Sequence, residues 1–162
     1  MLQADGDAPA RAGRDSAARG TRILPQMHQQ GRRSRMSAAI IELSFPNPPL
    51  NLNQRLHWAK KADITRAIRL EVALKTKPLR AQFEGEPITV RLHWRPRDNR
   101  RRDPSNTIAT QKPAVDGIVD AGLVPDDTPE YVDELMPRIH KADKALGASC
   151  WLEIRKGIEE YE

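Results

Sequence analysis

The chain has 162 residues, of which 38% are hydrophobic, 30% charged and only 4% aromatic, which is enough apolar material for one modest core and too little for two. A single cysteine, Cys150, excludes an internal disulfide framework and a Cys-based zinc cluster, and no apolar run approaches the roughly 20 residues of a membrane helix, so a cytoplasmic protein with no membrane contact is expected. The net charge of +5 suits a polyanionic partner, although where the charge sits matters more than its sum.

Residues 1–35 hold seven arginines, three aspartates and no lysine, with few side chains that a core would take. Such a segment cannot offset its ordering entropy by burial, so a disordered basic tail is expected, with Met36 as the expected true start and residues 36–162 as the single domain. AAIIELSF at 38–45 reads as a strand, ended by the prolines at 46, 48 and 49. Residues 55–76 read as a helix carrying Leu56, Ile64, Ala67, Ile68, Val72 and Leu74, closed by Pro78. Residues 87–95 alternate Ile88, Val90, Leu92 and Trp94 with polar side chains, the pattern of a half-buried strand. An arginine-rich loop at 96–107 leads into a helix over 111–121, with Thr110 as its expected cap, Pro113 in its first turn or bending it, and Gly122 at its end. Residues 131–141 and 149–156 read as two further strands. The order β-α-β-α-β-β predicts an α+β domain with a mixed sheet and two main helices. The β-α-β crossovers favour parallel neighbours, and the last two strands are expected to pair antiparallel.

Charge is unevenly distributed along the domain. Residues 53–80, with Lys60 and Lys61 among them, carry eight basic and two acidic side chains, and residues 91–102 carry six arginines and Asp98. Residues 103–134 then carry eight acids against Lys112. The informative stretch is RRRDPSNTIATQKPAVDGIVDAGLVPDD, residues 100–127. Arg97, Arg100, Arg101 and Arg102 are candidate phosphate contacts. Asp103, Asp116, Asp126 and Asp127 lie at a strand end, on a helix and just beyond it, where side chains converge on clefts. Converging carboxylates make a hard-oxygen site that suits Mg²⁺ or Mn²⁺, and a neighbouring lysine can stabilise charge on a phosphate. The plainer reading of the same residues is that Asp103 caps a turn, Asp126 and Asp127 sit in a solvated loop, and Asp116 and Asp120 form the helix's exposed face with Lys112.

RRRDPSN followed by KPAVDGIVDAGLVPDD resembles the RusA family of Holliday-junction resolvases, widespread in phages and prophages. The likeness extends more loosely to LSFPNPPLNLNQRLHW and to the C-terminal strands, covering most of 38–156. It implies a homodimeric, Mg²⁺-dependent endonuclease that resolves four-way DNA junctions by paired nicks, serving recombination and repair. Asp103 and Asn106 match the first Asp and the Asn of the family's D-x-D-N motif, Lys112 looks like its catalytic lysine, and Asp127 like its later catalytic aspartate. Two departures stand out: Ser105 replaces the second Asp of that motif, and the spacing from Asp103 to Lys112 is a few residues longer. Serine brings a hydroxyl ligand without charge, which Asp126 is placed to compensate, so the implied metal set is Asp103, Ser105, Asp126 and Asp127.

Two alternatives stand beside this reading: a branched-DNA-binding protein whose metal affinity was lost through Ser105, and an interaction protein whose basic regions are incidental. Paired nicks related by a two-fold axis suit a symmetric dimer, with the apolar residues of the last two strands as candidate interface. His57, His93 and His140 lack ligand-like spacing and read as ordinary surface or core histidines. Trp58 and Trp94 are expected in the core, and Cys150 as a buried free thiol.

Overall fold

The computed structural model describes residues 38–158; the expected tail and the expected start at Met36 lie outside them. The fold is α+β. In chain order come β1 (Ala38–Glu42), α1 (Trp58–Thr76), a 3-10 turn (Lys77–Leu79), the short α2 (Arg80–Phe83), β2 (Ile88–Arg95), a second 3-10 turn (Pro104–Thr107), α3 (Ile108–Asp120), β3 (Val132–Glu134), β4 (Arg138–Ile139) and β5 (Ser149–Lys156). Ile88, Val90 and Leu92 of β2 meet Ile41, Leu152 and Ile154 in one core with Ile68 and Val72 of α1 and Val115 and Ile118 of α3.

The sheet is mixed, with order β1-β5-β2-β3 and β4 also on β2. The crossover through α3 makes β2 and β3 parallel, as expected. Two other expectations are corrected. β1 and β2 are not neighbours, because β5 lies between them and runs antiparallel to both. β5 therefore does not pair with the strand before it. Its alternating Cys150, Leu152 and Ile154 match Trp94, Leu92 and Val90 across the ladder, so its apolar row goes to the core. Leu152 and Ile154 are fully buried, which removes them from the expected dimer interface. The expected strand over 131–141 is also broken in two. Pro137 has no N–H to give a ladder, and β3 and β4 pair with β2 on either side of the gap.

In α1 the buried stripe runs through Ile68, Val72 and Thr76, four residues apart, with Ile64 packed against it. Ala67 and Leu74 lie off that stripe and are exposed, contrary to expectation. Trp58 is corrected too: it opens the helix a turn and a half before Ile64 and is 76% exposed. Trp94 packs partly buried against the core. Cys150 is buried, and burial pushes its thiol up to about 12.

α3 starts at Ile108, so Thr110 lies inside the helix and is not its cap. Its buried hydroxyl instead accepts from Leu50 N at 3.0 Å and donates to Leu50 O at 2.8 Å, fixing the loop before α1. Pro113 sits one turn deeper than the first turn. Gly117 is where α3 touches α1: a Cβ there would stand 2.4 Å from Arg69 O. Gly122, at φ +74°, ends the helix, its N–H bonding Val119 O at 2.8 Å.

Candidate functional site

The site is assembled at the break between β3 and β4. There β2 lacks a strand partner on the edge away from β5, and the buried side chain of Gln111 takes that place. Its Oε1 accepts from Leu92 N at 2.8 Å and its Nε2 donates to Leu135 O at 3.0 Å. One amide thus supplies both a donor and an acceptor, as a neighbouring strand's backbone would. Locking Gln111 sets the next residue, Lys112, beside the end of β3.

The Lys112 ammonium is the hub of the site. It is hydrogen-bonded to Asp127, stands 3.3 Å from Asp116 one turn along α3, and 3.8 Å from Glu134 at the end of β3. Burial works against its charge, but the Asp127 hydrogen bond and the Asp116 and Glu134 carboxylates outweigh it and raise its pKa. Asp127 is correspondingly held below the usual carboxylate range, first by its hydrogen bond to Lys112. The Asp126 carboxylate accepts from Asp127 N at 2.8 Å and shapes the loop. Asp120, grouped with Lys112 by spacing, points elsewhere and pairs with Arg69 of α1.

The second part of the site is the turn that precedes α3. Asp103 caps it: its Oδ1 accepts from Ser105 N at 2.9 Å. Hydrogen bonds from Ser105 hold its carboxyl below the usual range. Asn106 N donates to Asp103 O at 3.2 Å, and the Asn106 side chain accepts from Asn53 at 3.1 Å. Leu52 N adds a bond to Asn106 O at 3.1 Å. The loop before α1 and the turn before α3 are therefore stitched together.

The four candidate phosphate-contacting arginines differ. Arg97 and Arg101 are exposed, and Arg100 is exposed with a 3.6 Å approach to Asp98. Arg102 is committed to the loop itself: it bonds Asp98 Oδ1 at 2.5 Å, Asp98 O at 2.8 Å and Arg100 O at 2.9 Å, and its guanidinium lies 5.1 Å over the Trp94 ring. Arg101, Arg102, Asp103 and Pro104 line an open groove of about 500 Å³. Lys60 and Lys61 are exposed in the first turn of α1, with no ion-pair partner among the described residues.

Lys112, Asp116 and Asp127 are brought together, with Asp126 in their loop. Asp103, Ser105 and Asn106 form a separate group on their own turn. The donor chemistry, carboxylate and hydroxyl oxygens, is right for a hard cation, but the arrangement does not fit one. The carboxylates around α3 are gathered on an ammonium, and Asp103 is turned to its own cap. Among the described residues no three His, Cys, Asp or Glu side chains stand so that they could hold a metal ion.

Sequence reasoning missed Glu134, which arrives on β3, and Gln111, whose role appears only once β3 and β4 separate. It also missed a ring cluster. His93 Nδ1 lies 2.8 Å from His140 Nε2, and both rings stack on Trp151 at 5.2 and 4.9 Å. Comparison of the chain with protein-family models and with curated proteins gives no match.

Proposed function

We propose that the chain is an endonuclease acting on branched DNA, a RusA-like resolvase that works as a homodimer in the cytoplasm and hydrolyses phosphodiester bonds at four-way junctions. The observation that carries the reading is the Lys112 hub, a charged lysine among Asp116, Asp127 and Glu134, on the helix that directly follows the arginine loop and Asp103. In phosphodiester hydrolysis a water oxygen bonds to phosphorus while the bond to the leaving oxygen breaks, and negative charge grows on the phosphoryl and leaving oxygens. A lysine with a raised pKa is protonated at neutral pH, so Lys112 offers charge to those oxygens and does not act as a base. Asp103 and Asp127 are carboxylates at neutral pH and so can accept the proton that the attacking water loses, although the bonds that hold them ionised make them weaker bases. Arg97, Arg100 and Arg101 neutralise neighbouring phosphates, with Lys60 and Lys61 on α1 as further contacts. The Mg²⁺ that the resemblance implies would need Asp103, Ser105, Asp126 and Asp127 to converge, which in this arrangement they do not, and the roles in charge and proton handling fall to the side chains themselves.

A second reading, junction binding without cleavage, is favoured by one observation: the carboxylates that a metal would take are engaged with Lys112 and with the Ser105 N–H. Single-turnover cleavage of a synthetic four-way junction, titrated with Mg²⁺ and Mn²⁺ beside a binding assay, separates the two. Metal-dependent paired nicks support the enzyme, tight binding without nicks supports the second reading, and neither defeats both.

A further inference from the structure

α1 begins with a tryptophan that the fold does not use. Trp58 is 76% exposed, and its only ring neighbour among the described residues is His57, at 5.6 Å and tilted by 37°. His57 is fixed in turn as the helix cap, its Nδ1 accepting from Ala59 N at 3.3 Å. The indole thus projects from a capped helix end. Trp58, Lys61, Ala62, Thr65, Arg66 and Arg69 line a shallow depression of about 580 Å³ whose surface is largely apolar.

The charge around this patch is predominantly basic. Residues 53–80 carry eight basic and two acidic side chains. Arg66 and Arg69 are paired with Asp63 and Asp120, whereas Arg55, Lys60 and Lys61 have no ion-pair partner among the described residues. An acidic partner with a flat apolar face matches both features, and a nucleic-acid strand with an unstacked base is that partner: phosphates for the lysines, a π face for the indole. The patch also has a defined relation to the candidate site. The loop leading to Trp58 is bonded through Leu52 and Asn53 to Asn106, three residues past Asp103.

We infer that Trp58 is a base-stacking contact, taking a nucleotide unstacked at the branch point while Lys60 and Lys61 hold the adjacent phosphates. The inference rests on the branched-DNA reading above. It predicts selectivity of a specific kind, because bases at a branch point, or in a single strand, are open to an indole and those within a continuous duplex are not.

The test measures affinity of the full chain for a four-way junction, a single strand and a blunt duplex, with 2-aminopurine at the exchange point of the junction. Trp58→Ala should weaken junction and single-strand binding by about tenfold or more, the loss of one base–aromatic stack, and leave duplex binding unchanged. It should also abolish the change in 2-aminopurine emission on binding. Trp58→Phe should retain most of both. Lys61→Ala should weaken all three substrates alike and lower the salt dependence by about one phosphate contact. If Trp58→Ala binds the junction as the unaltered chain does, the inference falls and the function reading stands. If Trp58→Ala instead changes the sedimentation coefficient, the patch meets another copy of the chain, and the inference also falls. If the unaltered chain binds no nucleic acid, both fall. Binding without cleavage removes only the enzymatic reading. Trp58 packs against nothing in the core, and circular dichroism of each variant checks that the fold is intact.

Discussion

Asp103 and Asp127 carry the same group in opposite settings. Asp103 is held ionised by neutral donors on its own turn, the N–H and hydroxyl of Ser105. Asp127 is held ionised by the charge of Lys112. The first arrangement is made by Ser105, two residues on, with the charge of Arg101 assisting, and involves no side chain of α3. The second is an ion pair with an alternative: a phosphate presented to Lys112 competes for the ammonium and frees the carboxylate. Only one of the two acids is therefore coupled to the arrival of substrate, and the two differ in when each is free to act.

Removing either carboxylate charge should have the largest effect. Asp103→Asn and Asp127→Asn should each lower single-turnover junction cleavage by on the order of 10²–10⁴-fold, the range for loss of a group that handles a proton in the transition state. Junction affinity should hold or rise, since negative charge facing the phosphates is lost. Near-normal cleavage by both variants places the chemistry elsewhere. Next comes Lys112→Ala, with an expected loss on the order of 10²–10³-fold in cleavage rate and a much smaller loss in binding. An equal loss in both would make Lys112 a binding residue.

Gln111→Leu tests what sets the hub. It leaves Leu92 N and Leu135 O without partners inside the fold, a cost of about 1–3 kcal/mol each at most, read as a lower urea midpoint. An unchanged midpoint would show that water replaces the amide. The smallest effect is the sharpest discriminator. In Lys112→Ala, the Asp127 carboxyl should titrate upward towards its ordinary range while Asp103 stays depressed, as followed by carboxylate carbon shifts in NMR. The sign follows from the pairing: a depressed pKa marks a favourable interaction of the ionised form, present at neutral pH and lost as pH falls through that value. If both acids move, the two settings are not independent.

What the sequence made legible was local. The alternation of Ile88, Val90, Leu92 and Trp94 identified β2, and Gly122 marked the end of α3, because each depends on a few adjacent residues. The partners of β5 were not legible. They depend on matching Leu152 and Ile154 to Leu92 and Val90 across the chain, a choice that no window of sequence contains. The site divides in the same way. Lys112, Asp116 and Asp127 lie within one short segment and were readable together. Glu134 joins them from β3, through the pairing of that strand with β2. Trp58 was misread for a different reason: a tryptophan in a helix suggests a core, and only the actual position of the stripe through Ile68 and Val72 shows that it starts too early to reach one.

The central place of β5 has a consequence for how the molecule is made. Among the described residues β1 has β5 as its only strand neighbour, and β5 is the last strand in chain order. A polypeptide leaving the ribosome N-terminus first cannot join β1 to β2 until Ser149–Lys156 has emerged. Until then the apolar rows of Ile41, Val90 and Leu92 have no bridging strand, and two sheet edges are open to pairing with other chains. Closure across almost the whole domain is also slow compared with the zipping of local elements. Chains that stall before Ser149 would carry every residue of the Lys112 hub and still lack the strand that unites the two halves of the sheet.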